Sequence, residues 1–243
     1  MTAPPTLYFA DAGEAADLAA FLARLIHYDR AAAVRIQASG NTLAVFGQPP
    51  SFEVLAIRTA RLAKPYEDEG DGTLDATVSA GELLESVDEK AGSARVPASV
   101  TGPPWAGLLP PRGGWRQEPG LPAPDAIRST VAGAVAEFRA RVEELAPGQR
   151  TRAELDRIGR EIWSRPLGDT HLPVRAAHAA QALGFLRPVR AGATTAATAM
   201  AAPDEAQQLA LLSSGAWLRL RTPYGSIAVR RAAGLGTLNV SVR

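Results

Sequence analysis

Apolar and polar positions alternate with a period of two in several short runs of the first hundred residues, and with a period near 3.6 between those runs. Thr6 to Ala10 reads as a short strand. Asp11 then caps a helix, with Glu14 three residues on as in a capping box, and Leu18, Phe21, Leu22, Leu25 and Ile26 share one of its faces. Val34 and Ile36 alternate with Arg35 and Gln37, and Leu43 and Val45 continue the alternation beyond Gly40-Asn41. Both loop residues tolerate positive φ, which makes this a hairpin. A strand from Phe52 to about Arg61, an acidic turn over Glu67 to Gly72 and a strand from Leu74 to Val78 follow. Ser79 and Glu82 form a second capping box that opens a helix through Leu83, Leu84 and Val87. The order β-α-β-β-β-β-α suits an antiparallel sheet with helices on one face.

Residues 97–124 break this pattern. Eight prolines and five glycines among 28 positions rule out regular structure there, yet the stretch holds Trp105, Leu108, Leu109 and Trp115. Tryptophans are rare in flexible linkers because exposing them makes an adhesive patch. The segment is therefore expected to run over the surface with its indoles pressed into grooves, strapping two halves together. Beyond it the helical period dominates. Ile127, Val131, Val135, Phe138, Val142 and Leu145 mark one helix, and Thr151 and Glu154 cap a second that carries Leu155, Ile158 and Ile162. A third is expected over Leu172 to Phe185, and a short fourth between Pro203 and Ser213. Strands over Trp217–Arg221, Ser226–Arg230 and Thr237–Val242 close the chain, the first two joined by the turn Thr222-Pro223-Tyr224-Gly225. The predicted fold class is α+β: a mostly antiparallel sheet domain over residues 1–100, a Pro/Gly-rich strap over 101–122, and a helical domain over 123–243 that ends in a β-hairpin.

Composition narrows the chemistry. The 243 residues include no cysteine, which removes disulfides, thiolate metal sites and cysteine nucleophiles and favours a cytoplasmic protein. No secretory signal and no membrane-spanning apolar run is visible. Of the 26 basic residues only Lys64 and Lys90 are lysines. Net charge is +1, but residues 1–121 hold 10 basic and 15 acidic side chains, and residues 122–243 hold 16 and 10. Such a split either draws the halves together, within a chain or across a dimer, or marks a basic half that meets nucleic acid.

Trp163-Ser164-Arg165-Pro166, Leu183-Gly184-Phe185-Leu186 and the terminal Trp217…Pro223-Tyr224-Gly225 hairpin resemble features of a family of conserved actinobacterial proteins with no assigned activity. The resemblance runs over most of the chain. It implies no catalytic residue, cofactor or metal ligand.

The residues themselves offer little catalytic chemistry. His171 and His178, seven apart, would lie about 10 Å apart on a helix, too far for one metal without further ligands, and His27 suits the C-terminal end of the first helix. Gly234-Leu235-Gly236 lacks the third glycine and the following helix of a dinucleotide fingerprint, and the acidic run over residues 67–72 lacks calcium-loop spacing. No catalytic, cofactor-binding or metal site is therefore assigned. Two surfaces remain. Three helices followed by a basic hairpin is the order of a winged helix, with Arg175, His178 and Gln181 as the groove-facing stripe and Arg219, Arg221, Arg230 and Arg231 on the wing. Trp105 and Trp115, flanked by Arg112 and Arg116, would instead suit a protein partner. The leading expectation is a non-enzymatic interaction or assembly protein that self-associates. The alternatives are a nucleic-acid-binding regulator and an enzyme whose site the sequence does not reveal.

Overall fold

A computed structural model describes residues 5–66, 73–188 and 209–231. The fold class is α+β, as expected. Strand β1 (Thr6–Tyr8) leads into helix α1 (Ala12–Tyr28), and four strands follow: β2 (Ala33–Ser39), β3 (Thr42–Gly47), β4 (Leu55–Arg61) and β5 (Thr73–Ser79). Helix α2 (Ala80–Ser86), β6 (Val87–Asp88) and β7 (Ser93–Arg95) complete the N-terminal part. The C-terminal part holds β8 (Arg116–Glu118), the helices α3 (Pro124–Glu144), α4 (Arg152–Trp163) and α5 (Val174–Ala182), and the strands β9 (Ala210–Ser214), β10 (Trp217–Thr222) and β11 (Gly225–Arg230).

The three predicted N-caps form: Asp11 accepts from the Glu14 amide at 3.0 Å, Ser79 from Glu82 at 3.4 Å and Thr151 from Glu154 at 3.3 Å. The alternation in β2 to β5 and in β10 and β11 has a common cause. Eight strands form one antiparallel sheet in the order β5-β2-β3-β4-β11-β10-β9-β8, and one of its faces is roofed by helices. Val34, Ile36, Leu43, Val45, Ala56, Leu218, Leu220, Ile227 and Val229 point to that face and pack with Leu18, Phe21, Leu22 and Leu25 of α1 and with the alanines of α5. Each large aliphatic side chain buried there contributes about 1.5–3 kcal/mol. β1, β7 and β6 make a separate three-stranded sheet. No described helix is long and apolar enough to cross a membrane.

The two parts of the chain share the main sheet. Ser226, Ile227 and Ala228 of β11 pair with Ile57, Ala56 and Leu55 of β4, so the C-terminal hairpin extends the N-terminal four strands. The end of α5 locks this joint. Gly184, at φ 75°, lets the Phe185 amide reach back to the Ala180 carbonyl at 2.7 Å, a helix stop that glycine alone adopts without strain. Phe185 then turns into the core and stacks on Phe21 at 5.7 Å, over Gly225, where a Cβ would lie 2.6 Å from its ring. Two ion pairs cross the same joint, Arg175–Glu53 at 3.8 Å and Arg187–Asp17, and a third, Arg231–Glu118 at 3.5 Å, closes within the C-terminal part. Each takes its acid from residues 1–121 and its arginine from residues 122–243, a local counterpart of the charge split.

Several expectations need correction. Residues 97–124 are not free of regular structure: Pro104–Gly107 form a 3-10 turn, and Arg116–Glu118 add strand β8 to the sheet edge. Proline suits the first turn of a helix, and β8 lies between prolines, not on them. The helix expected up to Ser213 is contradicted where it is described, because Ala210–Ser214 is strand β9, paired to β10. Its earlier part, the strand over Thr237–Val242, the Gly234-Leu235-Gly236 turn and the acidic run lie outside the described residues. β4 starts at Leu55, not Phe52, and α5 starts at Val174, not Leu172. α2 stops at Ser86, and Val87 enters β6.

Candidate functional site

Among the described residues the other face of the main sheet carries no α-helix. Register decides what stands on it. Trp217 is opposite Arg230, Arg219 opposite Ala228 and Arg221 opposite Ser226, so Trp217, Arg219, Arg221 and Arg230 share this face with Phe46, Leu55 and Ile57. The Pro/Gly segment crosses it. Trp105 and Leu109 pack on Phe46, Leu55, Ile57 and Ala228, directly over the β4–β11 seam. Arg35 of β2 ties the strap down, donating to the Ala106 carbonyl and forming a bidentate pair with Asp75 of β5 at 2.7 Å. The bonds from Arg35 hold the Asp75 carboxyl below its ordinary range.

The strap leaves a cleft of about 200 Å³ at the C-terminal end of the seam. Leu55 and Ala228 lie at its base, Trp105, Leu108 and Trp217 form apolar walls, and Glu53 and Arg230 stand at its rim. Leu108 is 49% exposed, although it is flanked by packed side chains. Arg230 lies 5.9 Å from the Trp217 ring centroid. Beside the cleft, Arg219 lies 5.7 Å from the Trp115 ring, its Nε shut off from solvent and without an acceptor. Burial, and then the neighbouring Arg221 charge, push the Arg219 guanidinium below its ordinary value.

A second polar cluster sits on the helix-covered face. Arg58 of β4 is 7% exposed and donates to Tyr224 O at 3.0 Å, to Glu14 at 3.0 Å and to Asp17 at 3.4 Å. Arg61 bonds Glu14 at 2.9 Å and Asp11 at 3.1 Å, and Arg187 pairs with Asp17 while lying 3.7 Å from the Tyr224 ring centroid. Every carboxylate here is occupied by an arginine, so the cluster presents no free base and reads as a staple between α1, β4 and the β10–β11 turn. Among the described residues no group of three or more His, Asp or Glu is placed to hold a metal ion.

The remaining sequence-predicted positions scatter. His178 stacks on Trp163 at 4.5 Å and meets Phe52 edge-on at 5.0 Å, and burial pushes its imidazole below the ordinary value. Arg175 leans to Glu53, and only Gln181 of the three is exposed, so they form no solvent-facing stripe. The hairpin that would be a wing is interior to the sheet. Arg116 sits opposite Ser213, in the row of the helix-covered face, whereas Trp115 packs towards Arg219. Arg112 is exposed, and its field reaches Asp75. Arg231 is drawn off to Glu118. Trp217, Leu108 and Glu53 are not among the site residues the sequence suggests. For Trp217 the signal was present, since it precedes Arg219 by two positions in a strand and must share its face.

Residues 110–234 match the family described as Domain of unknown function (DUF8185), which covers half of the chain, and the protein belongs to that family. Residues 2–107 match the family described as Domain of unknown function (DUF8010). The two matches meet inside the strap, while β4 and β11 pair across them. No curated protein and no solved structure matches the chain.

Proposed function

We propose that the protein is a non-enzymatic interaction and assembly protein of the cytoplasm, self-associating through the helix-free face of its sheet. The observation that carries this reading is the cleft between Trp105, Leu108 and Trp217, an apolar recess with a half-exposed leucine and arginines at its edge. Tryptophan and arginine in such a setting are the residues that dominate interface energetics. The carboxylates on the opposite face, each held by an arginine, favour binding over catalysis. Light scattering across a concentration series tests the reading, together with capture of partners on immobilised protein. Mass that rises with concentration, or a specific captured partner, supports it, with Leu108→Asp removing the effect. A strict monomer that captures nothing contradicts it.

A second reading, nucleic-acid binding, is favoured by Arg219, Arg221 and Arg230 standing with Trp217 on one sheet face, since arginines beside an aromatic suit a stacked single strand. Replacing the three arginines with serine would then weaken binding across sequences and flatten its salt dependence. Unchanged anisotropy of a labelled oligonucleotide with that variant would end this reading.

A further inference from the structure

Arg219 is mid-strand in β10, with Ala228 of β11 on one side and Leu212 of β9 on the other. Arginine in a sheet is stabilised by an opposite charge or a polar residue across the strand, and this chain supplies one elsewhere on the same face, where Arg35 is gripped by Asp75. At Arg219 both cross-strand neighbours are apolar. Among the described residues no carboxylate or carbonyl accepts from its guanidinium, which lies 5.7 Å from the Trp115 ring and within the field of the like-charged Arg221. A partly desolvated cation without an acceptor is costly to the fold. The Nε is enclosed, so an external anion would meet the guanidinium at its terminal nitrogens and offset the charge there.

We infer that Arg219 is the carboxylate-binding anchor for an acidic segment of a partner protein, whose adjacent apolar side chain fills the Trp105–Leu108–Trp217 cleft. This rests on the interaction function proposed above and names the partner's chemistry. The guanidinium presents a planar fork that matches a carboxylate in two-point contact. The cleft adjoins that fork: Ala228, across from Arg219, lies at its base, and Trp217, two residues away, forms a wall. Side chains on one face of an extended strand are about 7 Å apart. The partner therefore presents an acid and an apolar residue two positions apart in an extended segment. Arg221 and Arg230 are exposed and act by long-range attraction. The apolar walls suit a side chain better than a sugar–phosphate backbone.

The probe is a fluorescein-labelled Ser-Glu-Ser-Leu-Ser-Glu peptide, titrated with the full chain at low salt and read by anisotropy. Binding is expected, weakened about tenfold or more by Arg219→Gln and equally by a peptide with Gln in place of Glu. Arg219→Lys, which keeps the charge without the fork, falls between. Arg221→Gln and Arg230→Gln cost only a few-fold, and that loss fades as salt rises. Near-ultraviolet circular dichroism confirms that each variant keeps its packing. No binding by the wild type, equal binding of the Gln peptide, or unchanged affinity in Arg219→Gln overturns the inference. So does an oligothymidylate that binds more tightly and displaces the peptide, which would assign the site to phosphate. If Leu108→Asp abolishes assembly or capture while Arg219→Gln leaves peptide binding intact, the anion inference alone falls. If assembly and capture are absent in the wild type, the interaction reading falls with it.

Discussion

Arg58 and Arg219 are one strand apart in the same sheet, with β11 between β4 and β10, and they point to opposite faces. Each has a buried Nε with no acceptor. There the likeness ends. Around Arg58, α1 supplies Glu14 and Asp17, the β10–β11 turn supplies a carbonyl, and Arg61 and Arg187 balance the extra carboxylate charge. Around Arg219 there is a tryptophan ring and two apolar neighbours. A charge that serves the fold is enclosed by partners drawn from several elements, because an unpaired one would cost more than its contacts return. A charge left without them, next to an apolar cleft, is better explained by something that binds.

The contrast can be broken at either end. The largest expected effect is at Arg58. Arg58→Leu leaves Glu14 and Asp17 largely enclosed with one cation fewer and should cost about 3 kcal/mol, read as a lower urea midpoint at unchanged slope. A loss below about 1 kcal/mol would mean the staple is ornamental. Next comes the strap. Trp105→Ala strips the β4–β11 seam of its cover and should cost about 2 kcal/mol, less than a fully buried tryptophan because one side of the ring meets the cleft. Protection of the β11 amides from hydrogen exchange should fall with it, and unaltered protection would show that the strap does not hold the seam.

His178 gives a smaller, pH-dependent effect. Its imidazole is depressed by burial, so the unfolded chain binds the proton more readily than the folded one, and stability declines as pH falls below about 6.5, the ordinary value. His178→Phe keeps the stack on Trp163 and should remove that part of the decline. A melting curve that stays equally pH-sensitive in the variant would place the titration elsewhere.

Much of the architecture was legible in the sequence because the signals were local. The N-caps at Asp11, Ser79 and Thr151 and the Gly40-Asn41 hairpin need only neighbouring residues, and each forms where its spacing predicts, although only the N-cap half of each capping box is made. The proline-rich composition of residues 97–124 sets them apart, but it does not say that Trp105 covers Phe46, Leu55 and Ile57 while Trp115 stands by Arg219. What could not be read was the pairing of β4 with β11, since Ile57 and Ser226 alternate correctly in their own strands whichever strand lies beside them. The same blindness hid the site. Arg175, His178 and Gln181 recur at helical spacing, but only the tertiary fold places Phe52 and Trp163 around His178. Arg219 and Arg221 look alike in a strand, and only register reveals that Arg219 faces Ala228 and Leu212 beside the cleft.

The smallest predicted effect on stability is the most telling. The measurement is the urea-unfolding free energy of Arg219→Gln beside the wild type. If Arg219 is held for a partner and not for the fold, the variant should lie within about 0.5 kcal/mol of the wild type or above it, since removing an unpaired, partly buried charge relieves the native state. A loss of more than about 1 kcal/mol would show that its contact with Trp115 holds the sheet together, and would contradict the assignment of this face to binding.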